Sequence, residues 1–370
     1  MRLIVSLGVL CLGVAIAFTA GELRAAGGSP STWNPNLAAD YLDHAEERWA
    51  SWPRASLERG TFCVSCHTSS LYALARPALR SHLKQRQTPD SETKLIENVV
   101  KRVGAWNEIA PYYPDQRYGL PKTSESRGSE AVINALVLST RDFYAGTLSD
   151  ETRHAFKNMW NLQMHRGDLS GAWAWMNFRL DPWEGEQSAF YGASLAALAV
   201  GAAPQNYAAD PDIQSNIQAL AEYLQRNADA ASLFNSATAL WASRVMPGIL
   251  KPEQKDTITN RILKAQAADG GWSLSAMGEW SRRDDSPAET ASDGYATALA
   301  VLALRTSESP AAGVGARRGV AWLTTHQDKD GQWTARSVNK RRETSDDNLP
   351  GYFMTDAATA MAVLALTGTP

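Results

Sequence analysis

The chain has 370 residues, of which 44% are hydrophobic and 20% are charged, and its formal net charge is −3. This is the composition of an ordinary globular protein, long enough for one large domain or two small ones. A charge this close to balance gives no basis for binding nucleic acid or a strongly acidic partner.

The N-terminus has the pattern of a secretory signal. Arg2 is followed by an apolar run from Leu3 to Ala20 and then by small residues up to Ala26. We therefore predict a signal peptide over residues 1–26 and a periplasmic or secreted protein. The alternative is an uncleaved N-terminal anchor, since about eighteen apolar residues approach the length of a membrane span. Contact with a membrane is expected only in that alternative.

Residues 63–67 read Cys-Val-Ser-Cys-His, two thiols three positions apart with a histidine directly behind them. This spacing is typical of covalent c-type haem attachment, in which each thiol adds to a haem vinyl group and the imidazole ligates the iron. We predict one covalently attached haem c, with Cys63 and Cys66 as thioether anchors and His67 as the metal ligand. A disulfide, a redox-active thiol pair and half of a zinc site are the alternatives.

Hydrophobic periodicity predicts an all-α chain, in which polar-faced helices alternate with apolar, small-residue helices. The polar-faced helices are predicted near 36–52, 91–106, 150–164, 211–226, 253–267 and 314–327. The apolar helices are predicted near 64–80, 130–144, 187–201, 231–246, 292–306 and 355–367. Helices that are apolar all round must be buried. We therefore predict a single α/α toroid of about six helical hairpins over residues 33–370, with the apolar set inside.

The loops that lead into the inner helices are mostly long, which predicts where function lies. They span 107–129, 165–186, 268–291 and 328–354. In a toroid these loops share one face, and long loops on a rigid scaffold commonly carry the functional residues. The Cys63–His67 segment is predicted to open the first inner helix on that same face.

The C-terminal third repeats itself, and the repeats resemble a known family. Residues 296–304 read ATALAVLAL and residues 358–366 read ATAMAVLAL, preceded by Gln266–Trp272 and Gln327–Trp333. Such self-similarity predicts stacked helical units. Both copies resemble the Gln-Trp repeats of squalene–hopene cyclases, whose superfamily includes the protein prenyltransferase β subunits. A weaker copy runs from Trp160 to Trp173. The resemblance implies an α/α toroid with a central cavity that opens at the inner-helix N-termini.

The catalytic groups that this resemblance implies are missing from the chain. Class II cyclases use an Asp-x-Asp-Asp motif to protonate an alkene, whereas this chain has only Arg282–Asp285, which reads Arg-Arg-Asp-Asp. The prenyltransferases bind zinc through an Asp-x-Cys pair, which does not occur here. The sequence therefore predicts the scaffold without its usual chemistry.

Acids near the starts of the inner helices provide an alternative chemistry. Glu130, Asp293 and Asp356 are the candidate catalytic residues, and Glu186 stands in a similar position. Carboxylates that converge on a cavity can form the acid/base pair of a glycosidase or lyase. The competing interpretation is helix capping, in which an acid accepts free backbone N–H groups.

Other side chains bear on the haem prediction. A small cytochrome needs a second axial ligand, and here the candidates all fall in or beside long loops: Met164, His165, Met176, Met277 and Met354.

Trp175 and Trp183 stand outside the strict repeat and are candidates to border a ligand, whereas Trp272 and Trp333 are predicted to pack between repeats. The basic loop residues Arg336 and Lys340–Arg342 are candidates to pair with haem propionates or an anionic substrate.

Together these observations predict an exported toroid with one haem c at its cavity. Its role is electron transfer with a redox partner protein, or redox chemistry on a small apolar or aromatic molecule. A haem-free enzyme that uses cavity carboxylates on isoprenoid or carbohydrate substrates is the second hypothesis. A non-catalytic binding module with a disulfide or zinc at its thiol pair is the third.

Overall fold

A computed structural model describes residues 33–119, 121–345 and 348–368. The described residues from 33 onwards belong to one compact unit. The predicted signal peptide or anchor, residues 1–26, lies outside the described residues. No helix in the described ranges is both long enough and apolar enough to span a bilayer.

Nearly all of the regular secondary structure in the described ranges is helical, which confirms the predicted all-α class. The helices are α1 (Pro35–Ser51), α2 (Ser69–His82), α3 (Asp90–Gly104), α4 (Asp115–Tyr118), α5 (Lys122–Ala145), α6 (Asp150–Asn161), α7 (Ser188–Ala202), α8 (Gln214–Asn227), α9 (Leu233–Ala242), α10 (Pro252–Lys264), α11 (Gly294–Leu304), α12 (Pro310–Thr325) and α13 (Phe353–Thr367). One short antiparallel hairpin, β1 (Ser56–Leu57) with β2 (Thr61–Phe62), precedes α2. The remaining regular segments are 3-10 turns at Glu58–Gly60, Tyr207–Ala209, Pro211–Ile213, Leu274–Met277 and Leu349–Gly351.

The helices form two concentric layers. In the inner layer α2, α5, α7, α9, α11 and α13 pack each against the next, and α13 packs against α2, which closes the ring. The outer layer consists of α1, α3, α6, α8, α10 and α12, each packed against one or more inner helices. This is the predicted α/α toroid.

Sequence composition explains why each helix occupies its layer. Every residue of α11 is buried, because its alanines, leucines and valine are apolar on all sides. By contrast, α3 buries Leu95, Val99 and Val103 along one face and exposes lysine and glutamate elsewhere. The clearest departure from prediction is α5. It begins at Lys122, so Glu130 lies about two turns inside the helix.

The Gln-Trp repeat joins successive hairpins through side-chain hydrogen bonds. Gln266 Nε2 donates to Gly270 O at 2.8 Å and to Gly315 O on α12 at 3.0 Å. Trp272 is fully buried, and its Nε1 donates to Ile262 O at 2.7 Å. The glutamine thus links one turn to the next outer helix, while the tryptophan fills the space between the layers, as predicted.

The second copy of the repeat fastens the end of the chain to its beginning. Gln327 Nε2 donates to Gly331 O at 2.9 Å and to Asn34 O at 3.0 Å, where Asn34 caps α1. Gly331 has a φ of +87°, and a Cβ there would lie 2.3 Å from Leu37 O. The turn therefore requires glycine both for its backbone conformation and for its close approach to α1.

The weaker copy uses the same arrangement. Gln163 Nε2 donates to Gly171 O and to Asn216 O, each at 2.9 Å, and Trp173 Nε1 donates to Met159 O at 2.7 Å. The repeat therefore extends beyond the two copies that are obvious in the sequence.

Candidate functional site

The Cys63–His67 segment is a turn between β2 and α2. Ser65 Oγ accepts hydrogen bonds from the backbone N–H groups of Thr68 at 3.1 Å and Ser69 at 3.0 Å. These bonds satisfy donors that would otherwise be free at the start of α2. The helix begins at Ser69 with Thr68 in the N-cap position, so the motif lies directly ahead of the helix rather than within it.

Three neighbours hold the backbone of this turn. Trp49 Nε1 donates to Cys63 O at 2.6 Å, and Cys63 N donates to Ala55 O at 2.9 Å. The N–H of Val64 donates to the hydroxyl of Tyr112 at 3.1 Å. The turn is therefore fixed from α1, from the hairpin and from the loop before α5.

His67 is oriented through its Nδ1 atom. This atom lies 2.9 Å from Thr68 Oγ1, and the same hydroxyl donates to Asp356 Oδ2 at 2.8 Å. A hydroxyl has a single proton, so an oxygen whose proton faces a carboxylate accepts from Nδ1–H. The neutral imidazole therefore keeps its lone pair on Nε2.

The surroundings of His67 favour this neutral form. Burial, with a smaller contribution from the charge of Arg342, lowers the pKa of His67 to about 3. Phe353 stacks on the ring with centroids 3.5 Å apart, and Trp49 meets it edge-on at 4.9 Å. A neutral imidazole with Nε2 unprotonated can act as a metal ligand or as a general base.

The two thiols are unbonded and differ in position. Cys63 lines a cavity, whereas Cys66 is buried behind it and is 7% exposed. Burial raises the pKa of both thiols, with further contributions from the charge of Glu184 on both and of Glu130 on Cys63. This is the opposite of the lowered pKa that a redox-active thiol pair requires.

The cavity beside the motif, here called the His67 cavity, has a volume of about 420 Å³. This is within the usual range for small-molecule sites, about 300–1,000 Å³. Its wall combines aromatic rings, three arginines and two acids. It is lined by Trp49, Trp52, Arg54, Ala55, Leu57, Cys63, His67, Tyr112, Tyr113, Arg117, Phe178, Leu180, Asp181, Trp183, Glu184, Ser337, Asn339, Arg342, Pro350, Phe353 and Met354.

Among the predicted second axial ligands, Met354 lines the His67 cavity. Met164, His165, Met176 and Met277 are not among the described residues that line it. Trp183, predicted to border a ligand, does line it, while Trp175 donates from Nε1 to Trp183 O at 2.9 Å from behind. Within the described ranges, histidine, cysteine and acidic side chains form no group of three or more that could hold a metal ion.

The predicted catalytic acids occupy separate environments. Glu130 is fully buried, with its Oε1 2.6 Å from Arg102 Nε and its Oε2 3.6 Å from Arg127 Nη1. Asp356 is buried and accepts from Tyr41 and Thr68, each at 2.8 Å. Both carboxylates are thus engaged by neighbouring side chains, and neither lines the His67 cavity.

Asp293 caps α11 beside a different, smaller cavity of about 200 Å³. Its carboxylate accepts from Leu274 N at 2.5 Å and from Ala296 N at 2.9 Å. Burial raises its pKa to about 6 against the opposing effect of these hydrogen bonds.

Glu186 is exposed and borders an open groove that residues at the starts of α7 and α9 help to line. The structure therefore brings none of these four acids together, and their catalytic role stays a prediction.

Glu184 is the acid that sequence reasoning missed. It follows Trp183 in the loop before α7 and lines the His67 cavity. Burial raises its pKa to about 7, with the charge of Lys122 opposing the shift. In the sequence, the only feature that pointed to Glu184 was its position next to Trp183, a tryptophan outside the strict repeat. A carboxyl group that exchanges its proton near neutral pH is suited to general acid–base chemistry.

Glu184→Gln is expected to reduce the pH dependence of stability. A glutamate pKa raised from 4.5 to about 7 means that the folded protein binds more protons than the unfolded chain between these values. The free energy of unfolding therefore decreases as pH rises through that window. In the Glu184→Gln variant this decrease should be smaller by about 1–2 kcal/mol. Urea unfolding at pH 5 and pH 8 measures this, with exposed Glu186→Gln as the control. Equal pH dependence in wild type and Glu184→Gln would contradict the assignment.

Comparison with known proteins supports the scaffold. Residues 244–366 match the family profile of the squalene-hopene cyclase C-terminal domain. The match includes Gln266–Trp272 and Gln327–Trp333, so the resemblance of the repeats is confirmed for this part of the chain. The Cys63–His67 segment lies outside the match. No curated protein sequence matches this chain.

Two solved structures illustrate similar folds. One is ent-copalyl diphosphate synthase from Streptomyces platensis, at 17% identity and a TM-score of 0.45, covering 81% of this chain and 51% of that chain. This chain thus spans about half the length of that synthase. The other is the type II terpene cyclase MstE from Scytonema, at 11% identity and a TM-score of 0.47, covering 90% of this chain and 100% of that chain.

Proposed function

We propose that this protein is an exported haem c protein built on a cyclase-like α/α toroid. Its role is electron transfer with a redox partner protein, or redox chemistry on a small apolar or aromatic molecule. The observation that carries the proposal is the arrangement of His67: a neutral imidazole tied through Nδ1, adjacent to Cys63 on one cavity wall.

The residues present fit a covalently bound haem. Cys63 and Cys66 form no disulfide, and burial raises the pKa of both thiols; Cys63 lines the cavity, Cys66 is buried, and Nε2 of His67 would be left to ligate iron. When bound, haem supplies one-electron chemistry. Thr68 and Asp356 would hold the Nδ1 proton and fix the orientation of the ring. Met354, which lines the same cavity as His67, would be a candidate to help hold the group.

Spectroscopy and mass spectrometry of protein made with haem-maturation machinery test the proposal. We expect an intact mass increased by one haem, and a c-type absorption spectrum that survives denaturation. Added carbon monoxide will shift the reduced spectrum if the sixth position is open and leave it unchanged if Met354 ligates. A folded, colourless protein with the mass of the bare chain would refute the proposal.

A haem-free acid–base enzyme is the second candidate, and the family match favours this class more directly than it favours haem. Glu184 is the specific observation for it, because its carboxyl faces the His67 cavity with a pKa near neutrality. Isoprenoid or carbohydrate substrates are the classes to screen. In this candidate, Cys63→Ser/Cys66→Ser retains turnover while Glu184→Gln abolishes it. Loss of turnover with the thiols instead of with Glu184 would eliminate it.

A further inference from the structure

Among the described residues that line the His67 cavity, arginines outnumber acids. Arg54, Arg117 and Arg342 all contribute to its wall, whereas Asp181 and Glu184 are its acids. Burial raises the pKa of Asp181 and raises that of Glu184 to about 7, so the Glu184 carboxyl is only partly charged near neutral pH. Neither Arg54 nor Arg342 forms an ion pair with these acids or with any other residue in the part of the chain that the structure describes, so both guanidinium groups are available to an anion in the cavity.

Arg342 is the cavity arginine whose charge is least favourably placed. It is partly buried and forms no hydrogen bond or ion pair with any residue in the described ranges. Burial and the nearby charge of Arg283 lower its pKa, so the cationic form is destabilised where it stands. A partly buried guanidinium without a partner has lost some of its hydration, and an anion in the cavity would offset that loss.

The other residues of the cavity wall indicate which kind of anion the cavity would bind. Arg54 stacks on the ring of Trp52 at 5.0 Å, so a second guanidinium stands beside an aromatic surface. Phe178, Trp183 and Phe353 add further rings to the same wall. An apolar body would contact these rings, while an acidic group at its edge would meet the arginines.

We propose that the His67 cavity is a receptor for an amphipathic ligand with an apolar ring system and a carboxylate, which pairs with Arg342. Two sources supply this chemistry: the propionates of the attached haem, or a separate aromatic acid. The inference rests on the proposed function only in using the same cavity, because it requires no bound haem.

Fluorescence titration with 1-pyrenebutyrate, compared with the uncharged 1-pyrenebutanol, tests this proposal. The protein is the full chain carrying Cys63→Ser/Cys66→Ser, so that haem attachment cannot affect the result. We expect the carboxylate probe to bind more tightly than the alcohol. Arg342→Gln should weaken pyrenebutyrate binding about tenfold or more and leave pyrenebutanol unchanged. Lys340→Gln, an exposed residue of the same loop that does not line the cavity, is the matched control.

The outcomes separate this inference from the haem proposal. Equal affinity for the two probes, no binding of either, or equal effects of Arg342→Gln and Lys340→Gln would overturn it. If Arg342→Gln unfolds the protein, as circular dichroism would show, Arg54→Gln provides the same comparison. Haem-loaded protein that no longer binds pyrenebutyrate identifies the haem propionates as the occupant, whereas retained binding identifies a separate acid. If the wild type takes no haem, the probe result still stands.

Discussion

Under the proposed function, Cys63→Ser/Cys66→Ser is expected to lose covalent haem completely while the toroid stays folded. A hydroxyl group cannot form the thioether that holds haem c, so no pigment should remain after denaturation. The fold should persist, because the ring is closed by helix packing and by the Gln327–Asn34 contact rather than by these thiols. Haem staining after denaturing electrophoresis, together with intact mass, measures the loss.

The single variants provide the matched comparison. Cys63→Ser and Cys66→Ser should each retain at most one thioether, with an absorption spectrum shifted by the vinyl group that stays unreacted. Circular dichroism should match the wild type in all three variants. Pigment that survives denaturation in the double variant would show that the haem is not attached through this motif.

Arg102→Met is expected to destabilise the protein by about 3–5 kcal/mol, since it leaves a buried carboxylate without its closest partner. Arg102 and Glu130 are both 0% exposed and lie 2.6 Å apart. Arg102 also donates to Thr61 Oγ1 at 2.8 Å and to Ala110 O at 3.1 Å. The loss therefore also loosens the strand that leads into the Cys63–His67 segment. Urea unfolding gives the change in the free energy of unfolding.

Two further variants distinguish the effect of breaking this buried ion pair from the effect of losing any charged side chain. Arg102→Met/Glu130→Met should recover part of the stability, because removing both charges avoids the unpaired carboxylate. Arg59→Met breaks an ion pair with Glu108 whose side chains are 48% and 67% exposed, and should cost less than about 1 kcal/mol. A cost for Arg102→Met no greater than that of Arg59→Met would contradict the structural role of this pair. Such a role also explains why Glu130 stands apart from the cavity.

The prediction of the helices succeeded because it used information local to the sequence. The periodicity of α3 and the all-apolar composition of α11 depend on residues a few positions apart, which interact within one helix. The start of α5 was misplaced because Lys122–Ser129 carries polar residues that resemble a loop. In the structure, Ser126 and Ser129 are buried, and their hydroxyl oxygens accept hydrogen bonds from the backbone N–H groups of Tyr113 and Met176.

The sequence by itself determined the toroid, its repeats and the thiol–histidine motif, because each depends on spacing along the chain. Only the tertiary structure decided which polar groups share a cavity. Asp356 reaches Thr68 across 288 positions, and Glu184 lines the same cavity as His67 and Arg342 only because the loops of a closed ring meet on one face. Burial at that meeting point sets the pKa values of Glu184 and His67, and no neighbour in sequence could have revealed it.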